Sequence, residues 1–215
     1  MVWIRDVVHV VRNKQGEVDS LIGFMFDISE RKKAEQKLVH LQKELEELSY
    51  KDGLTGVFNR RMFDSVLDAE WANAQSNAQP LSLIFLDIDY FKQYNDHYGH
   101  IQGDDCLKLM GKILSTAGTR SRDFFARFGG EEFVLVLPET DEKAARLVAE
   151  RCSQLILDAQ ISHEKSQVSQ YITVSMGVGT ITPTQQDKPL AFIKKVDKRL
   201  YQAKKNGRNC IVEAN

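Results

Sequence analysis

The chain has 215 residues, 42% of them hydrophobic and 27% charged, which suits one well-buried domain with an appendage and excludes wholesale disorder. Its formal net charge of −1 argues against a nucleic-acid partner, which calls for a basic excess, but leaves room for a nucleotide held by a local group of Lys and Arg. No apolar run approaches the roughly 20 residues that cross a bilayer and no leader pattern opens the chain, so this segment is expected to be cytoplasmic without membrane contact, any anchor lying upstream.

Residues 2–11 and 18–28 alternate and are rich in β-branched side chains, and Asn13-Lys14-Gln15-Gly16 between them reads as a turn, which predicts a β-hairpin. A lone hairpin is marginal in water, so the chain is expected to begin inside a domain. The stretch Gly23-Phe24-Met25-Phe26-Asp27-Ile28-Ser29-Glu30-Arg31 resembles the last strand and exit of a PAS sensor domain, making residues 1–28 the C-terminal strands of one. Residues 29–50 turn helical, with Ser29 at the N-cap. Ala34, Leu38, Leu41, Leu45 and Leu48, spaced alternately by four and three, form either a parallel coiled-coil seam or the face of one amphipathic helix packed on its own domain.

After the turn-rich Lys51-Asp52-Gly53-Leu54-Thr55-Gly56, helix and strand patterns alternate to the end of the chain. Helices are predicted over 59–74, 91–97, 103–117, 141–159 and 189–205, and strands over 81–87, 124–128, 133–137, 171–180 and 209–212. This order predicts an α+β domain over residues 51–215 with helices layered on a mainly antiparallel central sheet. Cys106 and Cys152 lie in helical apolar patterns and, like Cys210, match no zinc or redox spacing, so buried neutral thiols in a reducing compartment are expected.

Two acidic groups stand where strands end. Leu83-Ile84-Phe85-Leu86 runs into Asp87-Ile88-Asp89, a place from which carboxylates reach a cation at a sheet edge or simply cap the next helix. Glu131-Glu132 follows the Gly129-Gly130 turn, which permits a tight hairpin and close approach of a substrate. A metal site needs ligands converging from separate elements, and these two groups together meet that need.

Several spaced motifs carry a closer resemblance. They are Asp52-Gly53-Leu54-Thr55-Gly56-Val57-Phe58-Asn59-Arg60-Arg61, Asp87-Ile88-Asp89-Tyr90-Phe91-Lys92, Asn95-Asp96-His97-Tyr98-Gly99-His100, Gly103-Asp104-Asp105, Arg127-Phe128-Gly129-Gly130-Glu131-Glu132-Phe133, Ser175-Met176-Gly177-Val178 and the run from Tyr201 to Asn209. In this order they resemble the GGDEF family of diguanylate cyclases, nucleotidyltransferases with a palm-like fold.

The resemblance implies magnesium or manganese held by Asp87, the Ile88 carbonyl and Glu131, with Glu132 assisting a second cation or the deprotonation of the attacking hydroxyl. It implies that Asn95 and Asp104 read guanine, that Leu107 packs on the base, and that Phe91 and Lys92 amides with Lys92, Lys204 and Arg208 hold phosphates. Gly129 and Gly130 would border the substrate, and Arg127 would stabilise charge at the reacting phosphorus. Lys204 and Arg208 are expected on one face of a helix end, and His97 and His100 in structural roles. Arg120-Ser121-Arg122-Asp123 matches the family's Arg-x-x-Asp product-inhibition motif, with Arg151 as its second arginine. GTP as substrate, cyclic di-GMP as product and inhibitor, and an obligatory homodimer follow from the same resemblance. The alternative is a catalytically silent module that binds GTP or cyclic di-GMP.

Overall fold

The computed structural model describes residues 2–118 and 120–213, the side chains of residues 40 and 42–49 excepted. It divides into two compact units, Met1–Ser49 and Tyr50–Asn215.

In the first unit, β1 (Ile4–Arg12) and β2 (Val18–Asp27) pair antiparallel, with Ile4 opposite Asp27 and Val11 opposite Ser20. The predicted turn forms because the Asn13 side-chain oxygen accepts the Gln15 and Glu17 amides at 2.9 and 3.0 Å, while Gly16 takes φ +85°. Helix α1 spans Ser29–Ser49. Ser29 does not cap it: the Ser29 hydroxyl accepts the Trp3 amide at 2.8 Å. Asp27, delivered to the helix start by β2, accepts the Ser29 amide at 2.8 Å instead. Of the predicted seam, Ala34, Leu38 and Leu41 are exposed rather than packed, while Leu45 and Leu48 lie outside the described side chains.

The second unit is built on a five-stranded sheet in the order β4 (Phe124–Gly129), β5 (Glu132–Pro138), β3 (Leu81–Ile88), β6 (Val174–Ile181), β7 (Ile211–Val212). All its pairings are antiparallel except β6 with β7. Helices α2 (Arg60–Asn77), α3 (Phe91–Tyr98), α4 (His100–Leu114), α5 (Glu142–Asp158) and α6 (Pro189–Lys205) flank the sheet, as the α+β expectation requires.

Every residue of β3 is buried, because both faces of the strand are covered. Alternation sends Ile84, Leu86 and Ile88 into a core with Met110 and Leu114 of α4 and Cys152 of α5. Leu81, Leu83 and Phe85 enter the opposite core with Phe63 and Leu67 of α2 and Phe192 and Val196 of α6. On that second face Gly177 and Gly179 of β6 oppose Phe85 and Leu83. A Cβ on Gly177 would fall well inside contact distance of the Leu200 amide nitrogen and the Val196 carbonyl oxygen, so α6 rests with its backbone on the sheet.

Some boundaries move for local reasons. Gly99, at φ +86°, separates α3 from α4, which starts at His100 rather than residue 103. Tyr171, expected in β6, meets only an isolated bridge to Ser162. Helix α6 ends at Lys205, so Arg208 lies past the helix in left-handed backbone and does not share its face with Lys204.

Cys106 and Cys152 are 3% and 0% exposed, and burial pushes both thiols up to about 12. The native protein at pH 8 is expected to leave both unreacted with a disulfide reagent over minutes, with all three cysteines reacting in denaturant. Rapid native modification of either, located by mass spectrometry, would contradict this packing. No helix among the described residues is long and apolar enough to cross a membrane.

Candidate active site

The strand that fills both cores ends in charge. Asp87 follows Leu83 and Phe85 on the α2/α6 face, only 4% exposed, and stands opposite Glu132 on β5 and Ser175 on β6. Lys204, in the last turn of α6, donates to the Asp87 carboxylate at 2.6 Å. Burial pushes Asp87 up to about 6; the Lys204 contact opposes that rise and the Glu131 and Glu132 carboxylates add to it. Glu132, half-buried, is also raised, first by burial, with Lys204 acting against it.

These oxygens fit a hard divalent cation. Glu131 and Glu132 add negative charge beside the buried Asp87 carboxylate, and a lysine ammonium supplies the positive charge there. Among the described residues no three His, Cys, Asp or Glu side chains are grouped closely enough to hold a metal unaided. The protein therefore offers a partial ligand set, of the kind that substrate phosphate oxygens complete around magnesium.

The hairpin turn is held from behind. A bulge between Arg127 and Gly129 and φ +55° at Gly130 bring Glu131 round the corner. Arg127 was expected at the reacting phosphorus, but its Nε donates to the Gly130 carbonyl at 2.8 Å and its Nη1 to Asp52 at 2.9 Å. Asp52 also accepts the Thr55 amide and hydroxyl, at 2.8 and 2.6 Å. Burial works against its ionisation, yet the Thr55 hydrogen bonds and Arg127 hold the carboxyl below its ordinary range. In this geometry Arg127 shapes the turn.

Asp89 is 1% exposed and accepts from the Thr173 and Ser175 hydroxyls at 2.7 and 2.6 Å and from the Asn209 amide at 3.0 Å. It is a structural tie between β6 and the segment after α6, a role the sequence motif does not distinguish from that of Asp87.

Past β3, α3 begins with no side-chain cap on its first amides, those of Phe91 and Lys92. Phe91 is buried and Lys92 exposed. The Asn95 amide oxygen is buried with no partner among the described residues, and it lies where a Cβ on Gly103 would sit, so this approach requires glycine. Asp104 is exposed nearby in sequence on α4, whereas Leu107 is 4% exposed and belongs mainly to the core. Arg208 lies over the Tyr90 ring, 4.3 Å from its centroid. His97 pairs with Glu164 at 3.4 Å and meets the Tyr98 ring edge-on.

Elsewhere, Arg120 and Asp123 share one turn: Asp123 accepts the Arg120 amide at 2.9 Å, and Arg120 Nη1 donates to the Glu139 carbonyl and Thr140 hydroxyl. Arg122 between them is engaged by Glu70 at 2.6 Å and by Glu139. Arg151 is exposed on α5.

Fold and site together define an α+β domain whose central strand delivers a carboxylate to a glycine-turn hairpin carrying two more. Residues 49–210 match the family model described as diguanylate cyclase, GGDEF domain, and the chain belongs to this family. It is 36% identical over 166 residues to the response regulator PleD of Caulobacter vibrioides, covering 77% of this chain and 36% of that protein. It is 35% identical over 207 residues to a diguanylate cyclase of Vibrio cholerae, covering 95% and 60% respectively. The chain thus spans between about a third and three fifths of these relatives' length. Among solved structures, the coiled coil and GGDEF domain of DgcB from Caulobacter crescentus, in complex with c-di-GMP, superposes with a TM-score of 0.73 at 26% identity. That match covers 86% of this chain and 98% of that one. The active GGEEF domain of a Vibrio cholerae diguanylate cyclase matches at 34% identity with a TM-score of 0.62, covering 73% and 97%.

Proposed function

We propose that residues 51–215 condense two GTP molecules into cyclic di-GMP and two pyrophosphates. The observation that carries this reading is the convergence of Asp87, Glu131 and Glu132 from two strands and a turn beside Lys204. The 3′-hydroxyl of one GTP attacks the α-phosphorus of the other, the bond to the β-phosphate breaks, pyrophosphate leaves, and the step repeats to close the ring.

Asp87, the Ile88 carbonyl and Glu131 are the groups that would hold magnesium or manganese. Such an ion, when bound, supplies charge neutralisation at the triphosphate and the leaving group. Glu132, with its raised proton affinity, suits taking the proton of the attacking hydroxyl or assisting a second cation. Asn95 and Asp104 present the polar edge that guanine requires, and the unpartnered Asn95 oxygen in particular invites a ligand N–H. Leu107 borders the base with the little surface it leaves open. Uncapped amides at Phe91 and Lys92, with Lys92, Lys204 and Arg208, suit the phosphates. Gly129 and Gly130 allow the backbone to approach the substrate.

One domain binds one GTP, so catalysis needs two copies of the chain face to face, an arrangement that positioning and electrostatics exploit. The exposed Ala34, Leu38 and Leu41 support pairing through α1, and the solved DgcB structure carries a coiled coil with its GGDEF domain. Residues 29–50 then act as a linker that sets this geometry, and residues 1–28 as the end of a PAS-like sensor. Incubating the purified chain with GTP and magnesium should yield cyclic di-GMP and pyrophosphate. Absence of both from a demonstrably dimeric sample would refute the cyclase reading and favour a silent binding module.

Arg120, Asp123 and Arg151 fit a site for product. Arg120 is held at Nη1 by the Glu139 carbonyl and the Thr140 hydroxyl, and its Nε and Nη2 bond to nothing among the described residues, which leaves that edge for a phosphate or guanine. Arg120→Ala should raise the cyclic di-GMP concentration for half-inhibition by about tenfold or more, with the initial rate retained. Unchanged inhibition would place the site elsewhere.

A further inference from the structure

Arg208 is the cation that the cyclase reading sets against a phosphate, and what holds it is Tyr90, a residue to which sequence analysis assigns no role. The guanidinium carbon lies 4.3 Å from the Tyr90 ring centroid, and Nη1 donates to the Tyr90 hydroxyl at 3.3 Å. That hydroxyl in turn donates to the Gln167 side-chain oxygen at 3.2 Å, so the phenol is used both as acceptor and as donor.

The backbone on both sides of this contact sits in an unfavourable region. Tyr90 has φ +57°, and Arg208 and Asn209 follow one another at +66° and +45°, all non-glycine residues in the left-handed region. Three specific hydrogen bonds hold them there. Fully buried His163 donates from Nε2 to the Tyr90 carbonyl at 3.1 Å, Asp89 accepts the Asn209 amide, and the Ala203 carbonyl accepts the Arg208 amide at 3.1 Å. Strain gathered round one side chain and over-determined by its surroundings is what a preset functional group requires.

We infer that Tyr90 is a positioning residue for the triphosphate site: its ring face and hydroxyl fix the Arg208 guanidinium before GTP arrives. The inference rests on the cyclase reading and adds to it the residue that makes Arg208 effective. An arginine side chain carries much rotamer freedom, and a preset one loses that freedom in folding rather than in binding. The stacked face and the single bond to Tyr90 leave the rest of the donor fork open for phosphate oxygens.

The test measures affinity of the full chain for guanosine 5′-(α,β-methylene)triphosphate with magnesium, which cannot release pyrophosphate, alongside GTP turnover and thermal stability. Tyr90→Leu should weaken binding by about tenfold and Tyr90→Phe, which keeps the ring, by two- to threefold. In turnover the loss should fall on KM for GTP more than on kcat. In an Arg208→Ala background Tyr90→Leu should cause no further loss, since the two residues act as one unit. Wild-type affinity in Tyr90→Leu, or full additivity with Arg208→Ala, would overturn the inference. If Tyr90→Leu does not fold, Tyr90→Phe decides: a two- to threefold loss supports positioning and wild-type affinity overturns it. A wild-type protein that binds no analogue removes the parent reading and this inference with it, whereas binding without turnover, with the coupling intact, counts against the cyclase reading alone.

Discussion

Glu131→Gln is expected to cut cyclic di-GMP formation by about a hundredfold or more, the scale on which removal of one transition-state-stabilising group acts. The substitution keeps the side chain's shape and removes its charge. Glu131 is partly exposed at the hairpin turn, and its carboxylate accepts no hydrogen bond among the described residues, so the fold loses little. The melting temperature should therefore stay within about 2 °C of wild type, in line with substitutions that break no buried contact. Rates of product formation and a thermal melt check the two halves. Wild-type turnover in this variant would refute the assignment of Glu131 to the cation.

Gly177→Ala is expected to act through the fold. The added methyl would strike the Leu200 amide and the Val196 carbonyl, backbone atoms of α6 that cannot turn aside as a side-chain tip can. Overpacking of this kind costs about 1–3 kcal/mol and occasionally more, which for a domain of this size lowers the melting temperature by roughly 2–12 °C. Activity should fall further than stability explains, because α6 also carries Lys204 to Asp87. Gly179→Ala is the control. Its Cβ would meet the Val196 and Phe192 side chains and the Arg199 guanidinium, groups with some freedom to give, and its loss should be smaller. Equal melting temperatures for Gly177→Ala and wild type would show that α6 does not rest on β6 as described.

Much of the sheet was legible because its signals are local. The apolar run Leu83-Ile84-Phe85-Leu86 of β3, the glycine pair before Glu131 and the proline that starts α6 each announce an element within a few residues. The acidic site was legible for the same reason: Asp87 and Glu131 stand at the ends of recognisable strands. What escaped depends on contacts distant in sequence. Nothing near Asp89 distinguishes it from Asp87. Its role is set by Thr173, Ser175 and Asn209, which reach it only once β6 and the chain after α6 are in place. Arg127 reads as a free cation until Asp52 is brought beside it, and Arg208 reads as helical until Gly207, at φ +106°, and the left-handed residues after it end the helix. The Asn95–Gly103 contact was hidden because the close packing depends on a missing Cβ.

The place of β3 in the sheet also has a consequence in time. Its two neighbours are β5, which begins at Glu132, and β6, which begins at Val174, so the middle strand is made well before either edge it must join. A ribosome adding about 5–20 residues per second leaves this mostly apolar strand without β6 for on the order of ten seconds. During that interval α2, already synthesised and carrying Phe63, Leu67 and Trp71, is the native partner at hand for one of its faces. The nascent chain thus makes the sheet's central strand well before the two strands that flank it.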